Sequence, residues 1–98
     1  LEPVDDDAQL IHGDLTGNVL FHETLDPAVI AFAPYWHPPE YAAAIVVADA
    51  LCWEDAPPEL ADAVARQYLL RALIYRGVTS TEFGGDGRRE LDLARRIA

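Results

Sequence analysis

The chain has 98 residues, 51% of them hydrophobic, which is enough apolar material for one small domain spanning residues 1–98. Its formal net charge is −10, and residues 1–65 contain thirteen acidic side chains and neither Lys nor Arg. Such a surface repels phosphate backbones and anionic lipid, which argues against nucleic-acid or membrane binding by this region. An acidic surface either serves solubility alone or favours cationic partners.

Cellular location is suggested by what the sequence lacks. No run reaches the ~20 apolar residues needed to cross a bilayer, and no signal-peptide pattern is present. Cys52 is the only cysteine, so no disulfide can form within the chain, and we expect a reducing, cytoplasmic setting. Because the chain begins at Leu1 and contains no methionine, we expect it to be part of a longer protein.

Short strands are predicted in the first third of the chain. A turn at residues 23–27 joins the second strand to the third as a hairpin, since it is rich in turn-forming residues. Prolines at 34, 38 and 39 predict a connecting loop without regular structure, which carries Tyr35 and Trp36. The predicted strands are Gln9–His12, Asn18–Phe21 and Ala28–Phe32.

Helices are predicted in the remainder. Residues 40–53 are apolar nearly all round, which predicts a buried helix that starts after a proline. A second helix is predicted from Glu59 to Arg76, with Gly77 as its C-terminal cap, and an amphipathic third from Arg88 to Ile97. We therefore expect an α+β fold, dominated by helices, with a small β-hairpin at one edge that carries the candidate site.

The segment from Ile11 to Phe21 carries the residues with the clearest chemistry. Asp14 follows His12 and Gly13 at the end of a strand, where a carboxylate can accept a proton from an attacking hydroxyl. Asn18, four residues later, supplies a carboxamide that can ligate a metal ion. We expect His12 to brace the loop through hydrogen bonds to the backbone. A plain strand-to-turn ending is the alternative, because Gly and Asp both favour turns.

Residues 11–32 resemble the catalytic segment of the aminoglycoside phosphotransferase group of kinase-like enzymes, and residues 34–54 resemble the continuation seen in actinobacterial members. The resemblance implies ATP- or GTP-dependent phosphorylation of a small-molecule hydroxyl, with Mg²⁺ bound against the nucleotide. It further implies that this chain covers the later part of the larger, helical lobe. By residue, Asp14 would be the catalytic base, Asn18 a magnesium ligand and His12 a loop support.

Two positions depart from the family pattern. Asn18 follows Asp14 by four residues where the family has five, so the loop is one residue shorter. The third strand normally ends in Asp-Phe, whose aspartate is the main magnesium ligand, and here Ala31 precedes Phe32. A methyl group cannot bind a hard cation. The chain also contains no lysine to pair with phosphate, so we expect it to be inactive without an N-terminal lobe or another chain.

A non-catalytic, pseudokinase-like binding module is the rival interpretation. In the absence of an N-terminal lobe, the apolar face where that lobe would dock predicts self-association. Elsewhere, Asp49 in the apolar helix needs a partner if buried, for which we predict Arg71. A zinc site from His12, His22 and Asp14 matches no common ligand spacing. Two further alternatives stay open: Tyr35 and Trp36 either line a cleft or close the helical core, and the C-terminal arginines form either a solvated face or a docking face.

Overall fold

The computed structural model describes residues 1–29 and 33–98. Its strands are short and precede its helices, so the fold is α+β and mostly helical, as the sequence predicted. The strands are β1 (Gln9–His12), β2 (Val19–Leu20), β3 (Ala28–Val29) and β4 (Pro34–His37). The helices are α1 (Pro39–Trp53), a 3₁₀ helix (Pro58–Ala63), α2 (Arg66–Glu82) and α3 (Arg88–Ile97).

Two antiparallel ribbons form the β part. β2 pairs with β3 as the predicted hairpin, with Val19 opposite Val29. Residues 30–32 of the predicted third strand lie outside the described residues. Within the described residues, both hairpin strands are shorter than predicted. β1 pairs with β4 along its whole length, from Gln9 opposite His37 to His12 opposite Pro34.

The prediction of an irregular loop at Tyr35 and Trp36 is wrong, because these residues form β4. Proline interrupts a strand only where its missing N–H would be needed in the ladder. Pro34 is the first residue of β4 and Pro38 follows its last residue, so both prolines lie at the strand's limits. The pairing partner, β1, is more than twenty residues away in sequence, which a local pattern does not reveal.

The core lies between α1 and α2. Ala44, Ile45 and Ala48 of α1 pack against α2, and α3 closes the remaining side with Leu93, Ala94 and Ile97. The fully buried side chains of α2 are at most 3% exposed and comprise Tyr68, Leu69, Ala72 and Leu73. The predicted α1 and α3 are therefore confirmed, α3 with the same limits and α1 beginning one residue earlier.

The predicted helix from Glu59 to Arg76 is wrong at both ends. Residues 58–63 form a 3₁₀ helix, and Val64 and Ala65 are extended before α2 begins. Gly77 does not end α2, which continues to Glu82. Gly77 lies against α3, since a β-carbon built on it would be 3.8 Å from Glu90 Cβ. Packing between helices thus overrides the local tendency of glycine to end a helix.

The N-terminal segment, residues 1–8, has no regular structure but is bound to α2. The Glu2 N–H donates to Gln67 Oε1 at 2.9 Å, and Arg71 Nη2 donates to the Glu2 carbonyl at 2.6 Å. The Tyr68 hydroxyl donates to the Asp6 carboxylate. Within residues 1–29 and 33–98, no helix is long and apolar enough to span a bilayer.

Candidate functional site

The candidate loop begins where β1 ends. Gly13 is buried, and its N–H donates to the Ala33 carbonyl at 2.8 Å, extending the ladder between β1 and β4 by one bond. The Tyr35 ring occupies the space that a side chain at position 13 would need. The Asp14 N–H donates to His12 Nδ1 at 2.9 Å, so the imidazole holds the first residue of the turn. These contacts fix the main chain from which the Asp14 carboxylate extends.

Asn18 closes the loop back onto Asp14. Its Nδ2 donates to the Asp14 carbonyl at 2.6 Å and lies 3.5 Å from Asp14 Oδ2, while its own N–H donates to the Leu15 carbonyl at 2.9 Å. Gly17 has a φ of +77°, which accommodates the tight turn between these residues. Because the amide nitrogen is engaged by Asp14, the carboxamide oxygen of Asn18 is the end that can bind a cation.

Arg76 of α2 joins Asp14 to Asp49 of α1. Its Nη2 lies 2.7 Å from Asp14 Oδ1 and 2.7 Å from Asp49 Oδ2, and its Nε donates to Asp49 Oδ1 at 2.9 Å. The side chains of Arg76 and Asp49 are each 13% exposed, whereas that of Asp14 is 47% exposed. The guanidinium therefore neutralises the largely buried carboxylate of Asp49 and also orients the carboxylate of Asp14, which solvent can reach.

Burial and the neighbouring carboxylates shift the pKa of Arg76 in opposite directions. Burial by itself lowers the pKa of the guanidinium, but the hydrogen bonds and negative charges of Asp49 and Asp14 outweigh burial, so the pKa is raised above its ordinary value. Arg76 consequently stays charged, and the two carboxylates share one permanent positive charge. Fork-shaped pairing of this kind fixes geometry as well as charge.

The predicted pairing of Asp49 with Arg71 is wrong. Arg71 donates to Gln67 and to the Glu2 carbonyl, on the side of α2 that carries the N-terminal segment. The sequence does carry a signal for the correct partner, because Arg76 continues the helical spacing of Leu69 and of Ala72 or Leu73. An arginine that continues a buried apolar stripe lies at the edge of the core, where its charge needs a carboxylate partner.

Asp14 stands at an open cleft of about 330 Å³ between the loop, α1, α2 and α3. Thr16 and Glu90 line the same cleft, although the sequence gave no reason to select either of them. Tyr35 lies elsewhere: its hydroxyl is 3.2 Å from that of Tyr75, and both rings border a small cavity at the end of the helical core. Trp36 is 69% exposed on β4. Ala31 and Phe32 fall outside the described residues.

Comparisons with protein-family models, with curated proteins and with solved structures find no match for this chain. What the site can do is therefore inferred from its own geometry and charge. The residues singled out in the sequence, His12, Asp14 and Asn18, are joined by hydrogen bonds in one turn beside a cleft. Arg76, which sequence reasoning missed, connects that turn to the helical core.

Proposed function

We propose that this chain is a portion of the catalytic lobe of an ATP-dependent small-molecule phosphotransferase similar to the aminoglycoside phosphotransferases. The observation that carries the proposal is the state of Asp14. One of its oxygens, Oδ1, is held by Arg76 at 2.7 Å, and the side chain remains 47% exposed beside the cleft. A half-exposed carboxylate that is fixed at Oδ1, and whose Oδ2 has only a long 3.5 Å contact with Asn18 Nδ2, suits the orientation of a hydroxyl.

In this proposal Asp14 Oδ2 accepts the proton of the attacking alcohol as the alcohol oxygen bonds to the γ-phosphorus of ATP, while the bond from that phosphorus to the β,γ-bridging oxygen breaks and ADP leaves. Arg76 keeps the carboxylate in place and stays charged throughout. His12 holds the Asp14 main chain through its Nδ1, and Asn18 Nδ2 holds the Asp14 carbonyl. Positioning of this kind supplies much of the rate in phosphoryl transfer, because little covalent chemistry is left to the protein.

A Mg²⁺ ion at the loop would have few protein ligands. Within residues 1–29 and 33–98, no group of three or more His, Cys, Asp or Glu side chains is arranged to hold a metal ion. Mg²⁺ at nucleotide sites commonly takes one or two protein oxygens and completes its shell with phosphate and water. Asn18 Oδ1 would be one such ligand, and a bound Mg²⁺ would neutralise charge on the phosphates.

The first test concerns nucleotide binding. We would add ATP with Mn²⁺ as a paramagnetic probe to ¹⁵N-labelled chain, with and without Ala31→Asp, and record amide spectra. We expect broadening at residues 13–18 in the Ala31→Asp variant, reversed by excess Mg²⁺ and lost when Asn18→Ala is added. Asp26→Asn, which removes an exposed acid in the hairpin turn, is the matched control and should change nothing.

The second test concerns turnover. The chain lacks lysine, so we expect no ATP hydrolysis and no phosphate transfer from it alone. Magnesium-dependent turnover that disappears in Asp14→Asn would contradict this expectation of inactivity. Absence of broadening at residues 13–18 in Ala31→Asp would instead argue against the phosphotransferase proposal itself.

The second candidate function is a non-catalytic, pseudokinase-like binding module. One feature favours it: Ala31 stands where the family has a metal-binding aspartate. In a module of this kind the loop would have a structural role only. It predicts that Ala31→Asp leaves the spectra unchanged in the presence of nucleotide, which is the outcome that separates the two candidates.

The partners and the location are part of the same proposal. A complete enzyme would need an N-terminal lobe, in the same protein or from another chain, and exposed apolar side chains near the loop offer it a surface: Phe21 is 79% exposed and Leu25 68% exposed. Without such a lobe the same surface would favour self-association, which light scattering at high concentration would detect. A cytoplasmic location fits a chain whose only cysteine is Cys52.

A further inference from the structure

An apolar groove runs between α2 and α3 on the surface of the molecule. The C-terminal half of α2 and the N-terminal half of α3 line a cavity of about 400 Å³, and the opposite halves line a neighbouring cavity of about 530 Å³. The two helices therefore run antiparallel along one groove. Ile74, Val78 and Leu91 line it and are each more than half exposed. Large apolar side chains aligned in one groove indicate a surface that another protein surface covers.

This α2–α3 groove lies on the other side of α2 from the candidate site. At about 100° per residue, Ile74 and Val78 each lie about 160° from Arg76 around the helix, and Arg76 contacts Asp14. A partner in the groove would therefore leave the cleft at Asp14 open. The groove is also separate from the hairpin surface at Phe21, since it involves only the N-terminal residues and the two last helices.

The two ends of the groove carry opposite charge. The first end, where α2 begins and α3 ends, has two arginines and one acid. The second end, where α2 ends and α3 begins, has two acids and one arginine. All six side chains belong to exposed residues, and they are Arg66, Arg95 and Glu2 at the first end and Glu82, Asp86 and Arg88 at the second. The first end is thus basic and the second acidic.

A second copy of the chain matches this pattern of charge. A two-fold axis through the middle of the groove sets two grooves antiparallel, so that the basic end of each lies against the acidic end of the other. The same rotation brings the exposed apolar side chains of the two copies together. A parallel arrangement would instead set like charges against each other, which is costly in an interface. The groove is therefore complementary to itself in one orientation.

We infer that this protein forms a two-fold symmetric dimer through the α2–α3 groove, with the basic end of each copy against the acidic end of the other. The 17 residues of α2 extend about 25 Å, and two adjacent helices are about 20 Å wide, so the contact covers about 500 Å² of each copy. The total of about 1,000 Å² is at the lower limit for a specific interface. The dimer is therefore weak, and its population depends on concentration in the micromolar range.

The overall charge of the chain opposes association. Each copy carries a net charge of −10, so two copies repel each other at long range. Ions at about 150 mM screen charges that are more than about 8 Å apart, whereas opposite charges in direct contact are screened less. The dimer is therefore best measured in about 150 mM salt, where repulsion is reduced and the contacts at the two ends of the groove remain.

Sedimentation velocity between about 5 µM and about 500 µM tests the dimer. We expect the mass to rise from that of one chain to that of two and no further, because a two-fold contact closes on itself. Ile74→Ser removes an exposed apolar side chain from the groove and should keep the protein a single chain throughout. Phe21→Ser removes an exposed apolar side chain from the hairpin surface and should leave the dimer unchanged.

An exchange of charges tests the orientation. Arg95→Glu should weaken the dimer roughly tenfold or more, because it sets acids against acids. Arg96→Glu changes the net charge equally at an exposed residue outside the described lining of the groove, and should have little effect. Adding Glu82→Arg to Arg95→Glu restores opposite charges at both ends and should return the dissociation constant to within about threefold of its original value.

Four results would overturn the inference. The first is the mass of one chain at every concentration, and the second is growth beyond two chains, which a closed contact does not allow. The third is a dimer that Phe21→Ser abolishes and Ile74→Ser retains, which would place the contact at the hairpin. The fourth is no recovery of association in the combined charge exchange. Because the groove lies away from Asp14, each of these results leaves the phosphotransferase proposal standing.

Discussion

At the scale of single residues, Arg76 determines the geometry of the candidate site. It compensates Asp49, which is 13% exposed, and orients Asp14 from the other side. Sequence reasoning identified His12, Asp14 and Asn18 because their spacing within one turn is a local property. It selected Arg71 in place of Arg76 because the two lie about 140° apart around α2, and the rotation of a helix about its axis is set by packing.

We predict that Arg76→Met destabilises the protein by about 3 kcal/mol, because it leaves Asp49 as an uncompensated buried charge. Arg71→Met is the matched control and should cost less than about 1 kcal/mol, since Arg71 contacts an exposed segment. Urea denaturation followed by circular dichroism measures both. Equal losses of stability in the two variants would mean that the contact between Arg76 and Asp49 contributes no more than the contacts of Arg71.

The Cys52 thiol should be slow to react. Burial, reinforced by the negative charges of Glu90 and Asp49, raises its pKa from the ordinary 9.0 to about 11. At pH 8 the thiolate is then roughly a hundredfold rarer than in the unfolded chain, and iodoacetamide alkylation should be slower by a similar factor. Alkylation in urea is the reference rate, and similar rates in the two states would contradict the prediction.

The same shift has a consequence for stability. A raised pKa means that the folded state holds the thiol proton more firmly than the unfolded state does. The resulting contribution to the free energy of unfolding is complete below pH 9 and is lost as the pH rises towards 11. Thermal denaturation of Cys52→Ala should therefore depend less on pH in this window than that of the unchanged chain.

At the scale of elements, the sequence predicted those helices whose pattern is locally complete. α1 is apolar nearly all round and starts after a proline, and α3 begins directly after Gly87. The errors concern elements that depend on distant partners. β4 exists because β1 pairs with it, and α2 passes through Gly77 because α3 packs there. A short sequence window around β4 does not include β1, and one around Gly77 does not include the part of α3 that packs there.

Two glycines near the contact between α2 and α3 should respond in opposite ways. Gly77→Ala should stabilise the protein by about 0.5–1 kcal/mol, since the new methyl meets Glu90 Cβ at an ordinary 3.8 Å and alanine favours helix. Gly87→Ala should destabilise it by about 1 kcal/mol, because Gly87 has a φ of +66° and its β-carbon would be 3.1 Å from the Gly77 carbonyl oxygen. Urea denaturation of each variant provides the comparison, and a loss of stability in Gly77→Ala would contradict the first expectation.

At the scale of the whole molecule, charge is distributed unevenly along the chain. Residues 1–65 contain no basic side chain, and all seven arginines lie between Arg66 and Arg96. The fold pairs part of the acidic excess with arginine, since Arg76 contacts the carboxylates of Asp14 and Asp49. Arg71 donates to the main-chain carbonyl of Glu2 in the acidic N-terminal segment. The net charge of −10 nevertheless remains on a small protein.

We predict that moderate salt raises the melting temperature. Repulsion among the acidic side chains acts over distances at which ions screen it, whereas the buried contacts of Arg76 are screened far less. Thermal denaturation in 10 mM and in 300 mM NaCl, roughly a fivefold change in screening length, tests this. A melting temperature that falls with salt would mean that exposed ion pairs outweigh the repulsion, and Arg88→Ala, which removes the exposed pair with Asp86, is the control.

The close contact between Gly13 and the Tyr35 ring also limits which residues the site can accept at these two positions. One aromatic ring fills the volume that a side chain between His12 and Asp14 would occupy. Positions 13 and 35 consequently share one space, and a gain of volume at the first demands a loss at the second. In any related sequence with a larger residue at position 13, the residue on the neighbouring strand should be small, so these two positions should change together.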